Sequence, residues 1–365
     1  MPERRTTRQI KLDKLTIGGG APVSIQSMTN TDTGDAAATL SQIQALAAAG
    51  CEIIRVAVPD KQAVEALPDI IKNSPIPVIG DIHFDYRLAL GAISAGIHGI
   101  RLNPGNIGDA AKVRVVAEKA GEAGIPIRTG ANSGSLKTGF IEEKLRKGLS
   151  REEALCEALV DSALEQCAIL EQYGFRQIKV SLKASDVPVT VAAYRHFSAI
   201  SDYPLHIGVT EAGTPGRGIV KSSVGIGTLL LEGIGDTLRV SLTANPLEEI
   251  ITAVRILESC GLRTAEPDII SCPTCGRTEI DLIKLAEKVE RLVSDIKNSG
   301  KKIKLKKLAV MGCAVNGPGE ARDADLGIAG GRKQIVLFKH GKIIGKFSEA
   351  AGFDRFKEEL IRSAE

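Results

Sequence analysis

Tryptophan is absent from the 365 residues, and aromatic side chains make up only 3% of them. A core with so few large rings must be filled by Ala, Ile, Leu and Val, which suits helices packed closely on a parallel sheet. No apolar run is long enough to span a bilayer. The basic N-terminus, MPERRTTRQIKLDKL, lacks the apolar stretch that follows in a secretory signal. An excess of one charge is missing too: 47 Lys and Arg against 44 Asp and Glu leave a formal net charge of +3. That is too little for a dedicated nucleic-acid binder with a patterned basic face. The seven cysteines lack the dense, even spacing of a secreted disulfide scaffold, so free thiols or metal ligands in a reducing cytoplasm are expected.

What the chain does have is an alternation of short β-rich runs and longer helical stretches between Val23 and Ala244. The runs are VSIQSM from Val23, EIIRVAV from Glu52, PVIGDIHF from Pro77, GIRLNPGN from Gly99, PIRTGANSGS from Pro126, QIKVSLKA from Gln177, LHIGVTEAG from Leu205 and TLRVSLTA from Thr237. Eight βα units with right-handed crossovers close into a TIM-type (β/α)8 barrel of roughly 250 residues more naturally than into an open sheet. No point marks a reversal of strand order. The barrel is expected over residues 1–262, ending near Gly261, with LRTAEPD from Leu262 as a polar linker. Residues 263–365 read as a smaller α+β domain with one long amphipathic helix, about Glu279 to Asn298, and strands in KLAVMG, ADLGIAGG, QIVLFKH and KIIGKF.

Active sites in such barrels lie at the C-terminal ends of the strands. There the sequence offers Arg55, Asp81, His83, Arg101, Asn103, Arg128, Asn132, Lys183, Glu211, Arg239 and Ser241. A single arginine would be a salt bridge to a neighbouring strand. Arg55, Arg101, Arg128, Lys183 and Arg239 converging on one cavity would repel one another unless an anion joined them. A substrate with two phosphates supplies it, and guanidinium forks match phosphate oxygens in pairs. Asp81 and His83 share a strand face and suit orientation of a substrate better than a two-ligand metal site. Glu211 is the one mouth carboxylate beyond Asp81, a candidate acid or base or else a counter-ion to Lys183. Gly213-TPGR-Gly218 mimics a phosphate loop, but Ile219 stands where that loop needs lysine.

Cys272-Pro-Thr-Cys275 brings two thiols together, and Cys313 follows after 37 residues in a segment whose Gly317, Pro318 and Gly319 can turn Glu320 toward the same centre. Three thiolates and a carboxylate are an odd set for structural zinc and suit a 4Fe-4S cluster with one weakly held iron. A zinc ribbon completed by His340, beside a metal-dependent barrel lyase or hydrolase, is the alternative. A sensor of iron–sulfur status is a second.

SCPTCGR from Ser271 and MGCAVNGPGEA from Met311 resemble the signature of the 4-hydroxy-3-methylbut-2-enyl diphosphate synthase family of the methylerythritol phosphate route to isoprenoids. The resemblance runs through QSMTNTDT, GDIHF, RLNPGNIG, SLKASD, HIGVTEAGT and VSLTANP, and it lacks the middle domain of the plant-type enzymes. It implies that Cys272, Cys275, Cys313 and Glu320 hold a 4Fe-4S cluster. It implies further that Arg55, Asp81, His83, Arg101, Arg128, Asn132, Lys183, Arg239 and Ser241 bind substrate, and that Glu211 and Glu320 are catalytic. The implied substrate is 2-C-methyl-D-erythritol 2,4-cyclodiphosphate, reduced with electrons from flavodoxin or ferredoxin. Lys301, Lys302, Lys304, Lys306 and Lys307 would steer such a donor or simply be a solvated face. Helices run back from a barrel's mouth, so the eighth delivers the chain to the far face. A head-to-tail homodimer in which each cluster domain caps its partner's mouth is therefore expected, as the resemblance also implies. Asn245, where the family has Asp, and Thr129, Ala131 and Ser133 around Asn132 are its departures.

Overall fold

The computed structural model describes residues 3–136, 138–264, 266–313, 321–331 and 334–365. It divides into two compact units, Met1–Arg263 and Thr264–Glu365. The first opens with an antiparallel hairpin, β1 (Ile10–Leu12) and β2 (Leu15–Ile17). Eight parallel strands follow: β3 (Ser24–Met28), β4 (Ile53–Ala57), β5 (Val78–Asp81), β6 (Gly99–Arg101), β7 (Ile127–Asn132), β8 (Ile178–Lys183), β9 (His206–Ile207) and β10 (Thr237–Leu238). Their order is β8-β7-β6-β5-β4-β3-β10-β9. A parallel bridge between Val180 and Leu205 joins β8 to β9 and closes the ring. All eight runs read from the sequence are strands, because each carries the apolar positions that a sheet covered by helices must bury.

The hairpin was not foreseen, since two three-residue strands show no usable period. It plugs the barrel's N-terminal end: Ile10, Leu12 and Ile17 pack on Ile53 and Ile79, near the starts of β4 and β5.

The barrel helices are α1 (Ala36–Ala48), α2 (Lys61–Asn73), α3 (Tyr86–Ser94), α4 (Ala110–Glu122), α5 (Thr138–Arg146), α6 (Arg151–Glu171), α7 (Val187–Ile200), α8 (Pro215–Leu231) and α9 (Pro246–Ser259). Asp35, Asp60, Asp85, Asp109 and Asp186 each accept a backbone N–H of the first turn that follows. Each such cap is worth about 1 kcal/mol and marks where a strand's loop becomes helix. Asn245 caps α9 in the same way through Leu247 N. The departure from Asp there keeps the cap, because Asn and Asp are near-equal at this position.

The second unit is a five-stranded sheet, β11 (Asp268–Ser271), β12 (Lys307–Met311), β13 (Leu326–Gly331), β14 (Gln334–Lys339) and β15 (Lys342–Phe347), in that order. The first three are parallel and the last two antiparallel. Two helices, α10 (Leu282–Asn298) and α11 (Glu349–Arg362), cover one face. Leu285, Val289, Leu292 and Ile296 of α10 meet Leu308, Val310, Phe356 and Leu360 there. Asp268 begins a strand, so the linker read through that residue is shorter than expected. The helix α11 was missed, because only Gly352, Phe356 and Leu360 in its charged sequence are buried. Among the described residues, no helix is long and apolar enough to cross a membrane.

Candidate active site

Asp81, the last residue of β5, is the hub of the barrel mouth. Only 3% exposed, its carboxylate faces Arg55 Nε at 3.7 Å, Arg101 Nη1 at 3.3 Å and His83 Nε2 at 3.2 Å. Burial alone would raise this carboxyl, but Arg55, Arg101, His83 and Arg128 hold it below the ordinary range. Burial also pulls Arg55 down to about 10, with Arg239 and Arg101 adding repulsion. Its Nη2 donates to the Met28 thioether at 2.9 Å, which fixes the fork without neutralising it.

Two further cations have even less compensation. Arg128 donates to Ser181 Oγ, and burial beside Arg55 and Arg101 drives its pKa well below the usual value. Lys183, at the end of β8, is driven down by burial and by Arg128, Arg239 and Arg55. Among the described residues it has no hydrogen-bond or ion-pair partner. The room for it comes from Gly208: a Cβ there would lie 2.9 Å from Lys183 Nζ and 2.4 Å from the Arg239 carbonyl.

Arg239 follows β10 and meets Glu249 Oε2 at 3.5 Å. Glu249, buried in the first turn of α9, also accepts from Ser27 Oγ and Leu242 N. It corrects the reading of Glu211 as the sole mouth carboxylate besides Asp81. The signal was legible, since Glu248 and Glu249 open a helix just beyond Arg239, but which of the two turns inward depends on packing. Five cations thus face two buried carboxylates, an electrostatic arrangement that calls for an anion.

Glu211 is exposed, and among the described residues it makes no ion pair, so the counter-ion reading with Lys183 fails. Its φ of 51° lies in the left-handed region, a strain of order 1 kcal/mol or more for a non-glycine residue. Ser241 lies two residues beyond Arg239, half-buried. Asn132 ends β7, and its side chain accepts from Gly134 N at 3.2 Å. Neighbouring Thr129 turns away and bonds Gln166 on α6.

In the second unit, Cys272, Cys275 and Cys313 line one cavity of about 240 Å³ with Pro273, Arg277, Thr278 and Gly312. The sheet register brings them together: Ser271 at the end of β11 stands one step from Met311 at the end of β12, and Cys272 N donates to Val310 O. Gly312 N donates to Cys272 Sγ at 3.1 Å. Hydrogen bonds from Arg277 and Thr278 lower the pKa of the Cys275 thiol, toward the thiolate a metal needs. Glu320 lies outside the described residues, as do Gly317, Pro318 and Gly319.

Among the described residues, no three His, Cys, Asp or Glu side chains converge on a single-ion site. The three thiols nevertheless share one cavity, and thiolates are soft ligands that could hold a metal centre there. His340 cannot complete a zinc ribbon with them. Gly331, at the C-terminal end of β13, pairs with Gln334, so β14 runs away from the cysteines and delivers His340 to the other end of the sheet, beside Asp325. The lysine run lies at that end as well. Lys304 pairs with Glu365, and the Lys306 and Lys307 backbones donate to Asp325. The five residues of β12, roughly 16 Å of strand, separate it from the cysteines, which fits a solvated face.

The description "GcpE TIM-barrel domain" matches residues 7–254, and "GcpE protein C-terminal domain" matches residues 268–362. Three relatives carry the name 4-hydroxy-3-methylbut-2-en-1-yl diphosphate synthase (flavodoxin). The one from Geobacter sulfurreducens is 56% identical over 94% of this chain and 94% of its own. That from Maridesulfovibrio salexigens is 52% identical over 95% and 93%, and that from Clostridium acetobutylicum 50% over 98% and 99%. Matched through both units along nearly its whole length, the chain belongs to the GcpE family of 4-hydroxy-3-methylbut-2-en-1-yl diphosphate synthases.

Proposed function

We infer that this protein is an oxidoreductase of isoprenoid biosynthesis that opens the ring of 2-C-methyl-D-erythritol 2,4-cyclodiphosphate and removes its C3 hydroxyl as water, giving 4-hydroxy-3-methylbut-2-enyl diphosphate. The observation that carries the reading is the mouth's uncompensated charge. Arg55, Arg101, Arg128, Lys183 and Arg239 surround Asp81 and Glu249, and a cyclic diphosphate supplies the missing anion. In this reading guanidinium forks grip the phosphates, while Asp81 orients Arg55, Arg101 and His83. Asn132 and Ser241 bind the substrate's polar edge. Glu211, solvent-reachable and held in a strained backbone, moves the proton at the departing oxygen.

Cys272, Cys275 and Cys313, with Glu320 as fourth ligand, would hold a 4Fe-4S cluster; the shared cavity and the lowered Cys275 thiol support this. Bound there, such a cluster supplies electrons singly to a carbon–oxygen bond that acids and bases alone do not break. Flavodoxin, or alternatively ferredoxin, delivers them. Free thiols throughout fit a cytoplasmic enzyme.

We also propose a homodimer with sites completed in trans. Arg263 is tied to Val23 O and Glu52 at the barrel end opposite the mouth. Cys272 follows nine residues later, a reach of at most about 32 Å. A second subunit's cysteines serve each mouth more simply. The test of the function is anaerobic turnover of the cyclic diphosphate with reduced flavodoxin, with iron and sulfide assayed in the same sample. A protein containing zinc but no sulfide, and inactive with this substrate, would overturn the reading.

A further inference from the structure

Below the mouth the barrel interior holds a second polar layer that the reaction described above does not use. Along β8, Ile178, Val180 and Leu182 belong to the apolar shell between sheet and helices, so Lys179, Ser181 and Lys183 face inward by the two-residue period of a strand. Lys179 is 2% exposed. Its register partner on β7 is Arg128. His206 on β9 uses Nδ1 against Thr237 Oγ1 at 2.8 Å and leaves Nε2 unpartnered. Gln26 on β3 leaves both amide atoms unpartnered, as Arg128 leaves Nε and Lys179 leaves Nζ. Among the described residues, then, Lys179, His206 and Gln26 below the mouth, and Arg128 beside them, carry buried polar atoms without partners in a closed, plugged barrel. Native interiors rarely leave such atoms without protein or water partners.

Lys179 is the unusual member, because no carboxylate pairs with it. The charged or titratable groups around it are Arg128 from β7, Arg55 from β4, His206 from β9, Lys183 above it on its own strand, and Asp236 just before β10. Asp236 is engaged elsewhere: it accepts from Leu205 N, Thr7 Oγ1 and Arg4 Nη2. Every other charge nearby is positive.

We propose that Lys179 is the proton-accepting site coupled to substrate binding: when the diphosphate settles among Arg55, Arg128 and Arg239, the amine takes one proton from the surrounding buffer and becomes an ammonium. The lone pair of Nζ forms the new N–H bond, the buffer acid loses its proton, and the protein gains one positive charge. The inference rests on the mouth being the diphosphate site. Its physical cause is that a dianion above Arg128 and Arg55 cancels the repulsion that disfavours a third cation beneath them. Burial, reinforced by Arg128 and Arg55, brings this amine down to about 7. In the empty barrel at pH 8 it is therefore about nine-tenths neutral.

The experiment is titration calorimetry of the cyclic diphosphate into the cluster-loaded protein at pH 8, in buffers of different ionisation enthalpy. Wild type is expected to take up protons, and Lys179→Met to take up fewer, by at most about 0.9 per site because burial, the larger cause of the lowered amine, persists in the complex. The variant's affinity is also expected to depend less steeply on pH, which a merely structural role would not alter. Equal uptake in both proteins overturns the proposal and leaves Lys183 as the acceptor. No binding heat with wild type overturns the substrate reading and this inference with it, whereas binding without a difference overturns the inference alone. If Lys179→Met does not bind, ligand-free stability decides. An amine lowered from 10.5 to about 7 destabilises the fold most below pH 7 and not at all above 10.5. Wild-type stability should therefore rise with pH across that window more than that of Lys179→Met, and parallel curves overturn the proposal.

Discussion

Asp81→Asn isolates the electrostatics of the mouth, because the amide keeps the shape of the carboxylate and loses only its charge. Arg55 at 3.7 Å and Arg101 at 3.3 Å are each attracted to that charge by roughly 5 kcal/mol at an effective dielectric of about 20. Much of this offsets desolvation. Removing one partner of a buried pair nets a loss of about 3–5 kcal/mol, and the lower end applies here because Arg101 and His83 keep contact with solvent. Denaturant unfolding of the barrel should therefore show a loss of about 3 kcal/mol at neutral pH. Since the folded-state pKa of Asp81 is depressed below 3.8, its stabilisation is present above that pH and lost as pH falls through the folded value. The difference between wild type and variant should accordingly vanish in acid. Pyrophosphate, standing in for the substrate's anion, should stabilise the variant by more than wild type, where saturation at a hundredfold excess over Kd is worth about 2.7 kcal/mol. A loss under about 1 kcal/mol, or an equal pyrophosphate effect in both proteins, would refute the account of Asp81 as the anion that holds the mouth together.

Cys272→Ser, Cys275→Ser and Cys313→Ser should each abolish the visible chromophore and the activity, because hydroxyl is a poor replacement for thiolate at iron; full turnover by Cys313→Ser would refute the ligand assignment. Cys51 and Cys167, whose thiols burial pushes up to about 12, should tolerate Ala with the chromophore intact. Glu211→Gln should lower kcat at least tenfold with iron content and KM little changed, and normal turnover would remove Glu211 from the chemistry. Gly208→Ala should displace Lys183 and the Arg239 carbonyl and raise KM at least tenfold, measured beside an unchanged chromophore. Mixing Glu211→Gln with Cys272→Ser subunits should restore activity to verified heterodimers if sites form in trans, and none if they form within one chain.

Much of this architecture could be read from local sequence alone. Each barrel strand is a short apolar run, and Asp35, Asp60, Asp85, Asp109 and Asp186 announce the helices that follow, because period and capping are properties of a few consecutive residues. The convergence of Arg55, Asp81, Arg101, Arg128, Lys183 and Arg239 was legible for the same reason: in a closed barrel, the end of every strand is the mouth. Cys272, Cys275 and Cys313 were equally visible as a motif. What tertiary structure alone decided are the relations between distant segments. Glu249 rather than Glu248 turns under Arg239, His340 is carried away from the cysteines by an antiparallel strand, and the hairpin at Ile10–Ile17 seals the barrel floor. Lys179 shares the inward parity of Lys183, so its direction could have been read. That it would be buried without a carboxylate partner could not, because a side chain's electrostatic environment is assembled from strands far apart in sequence that meet only when the barrel closes.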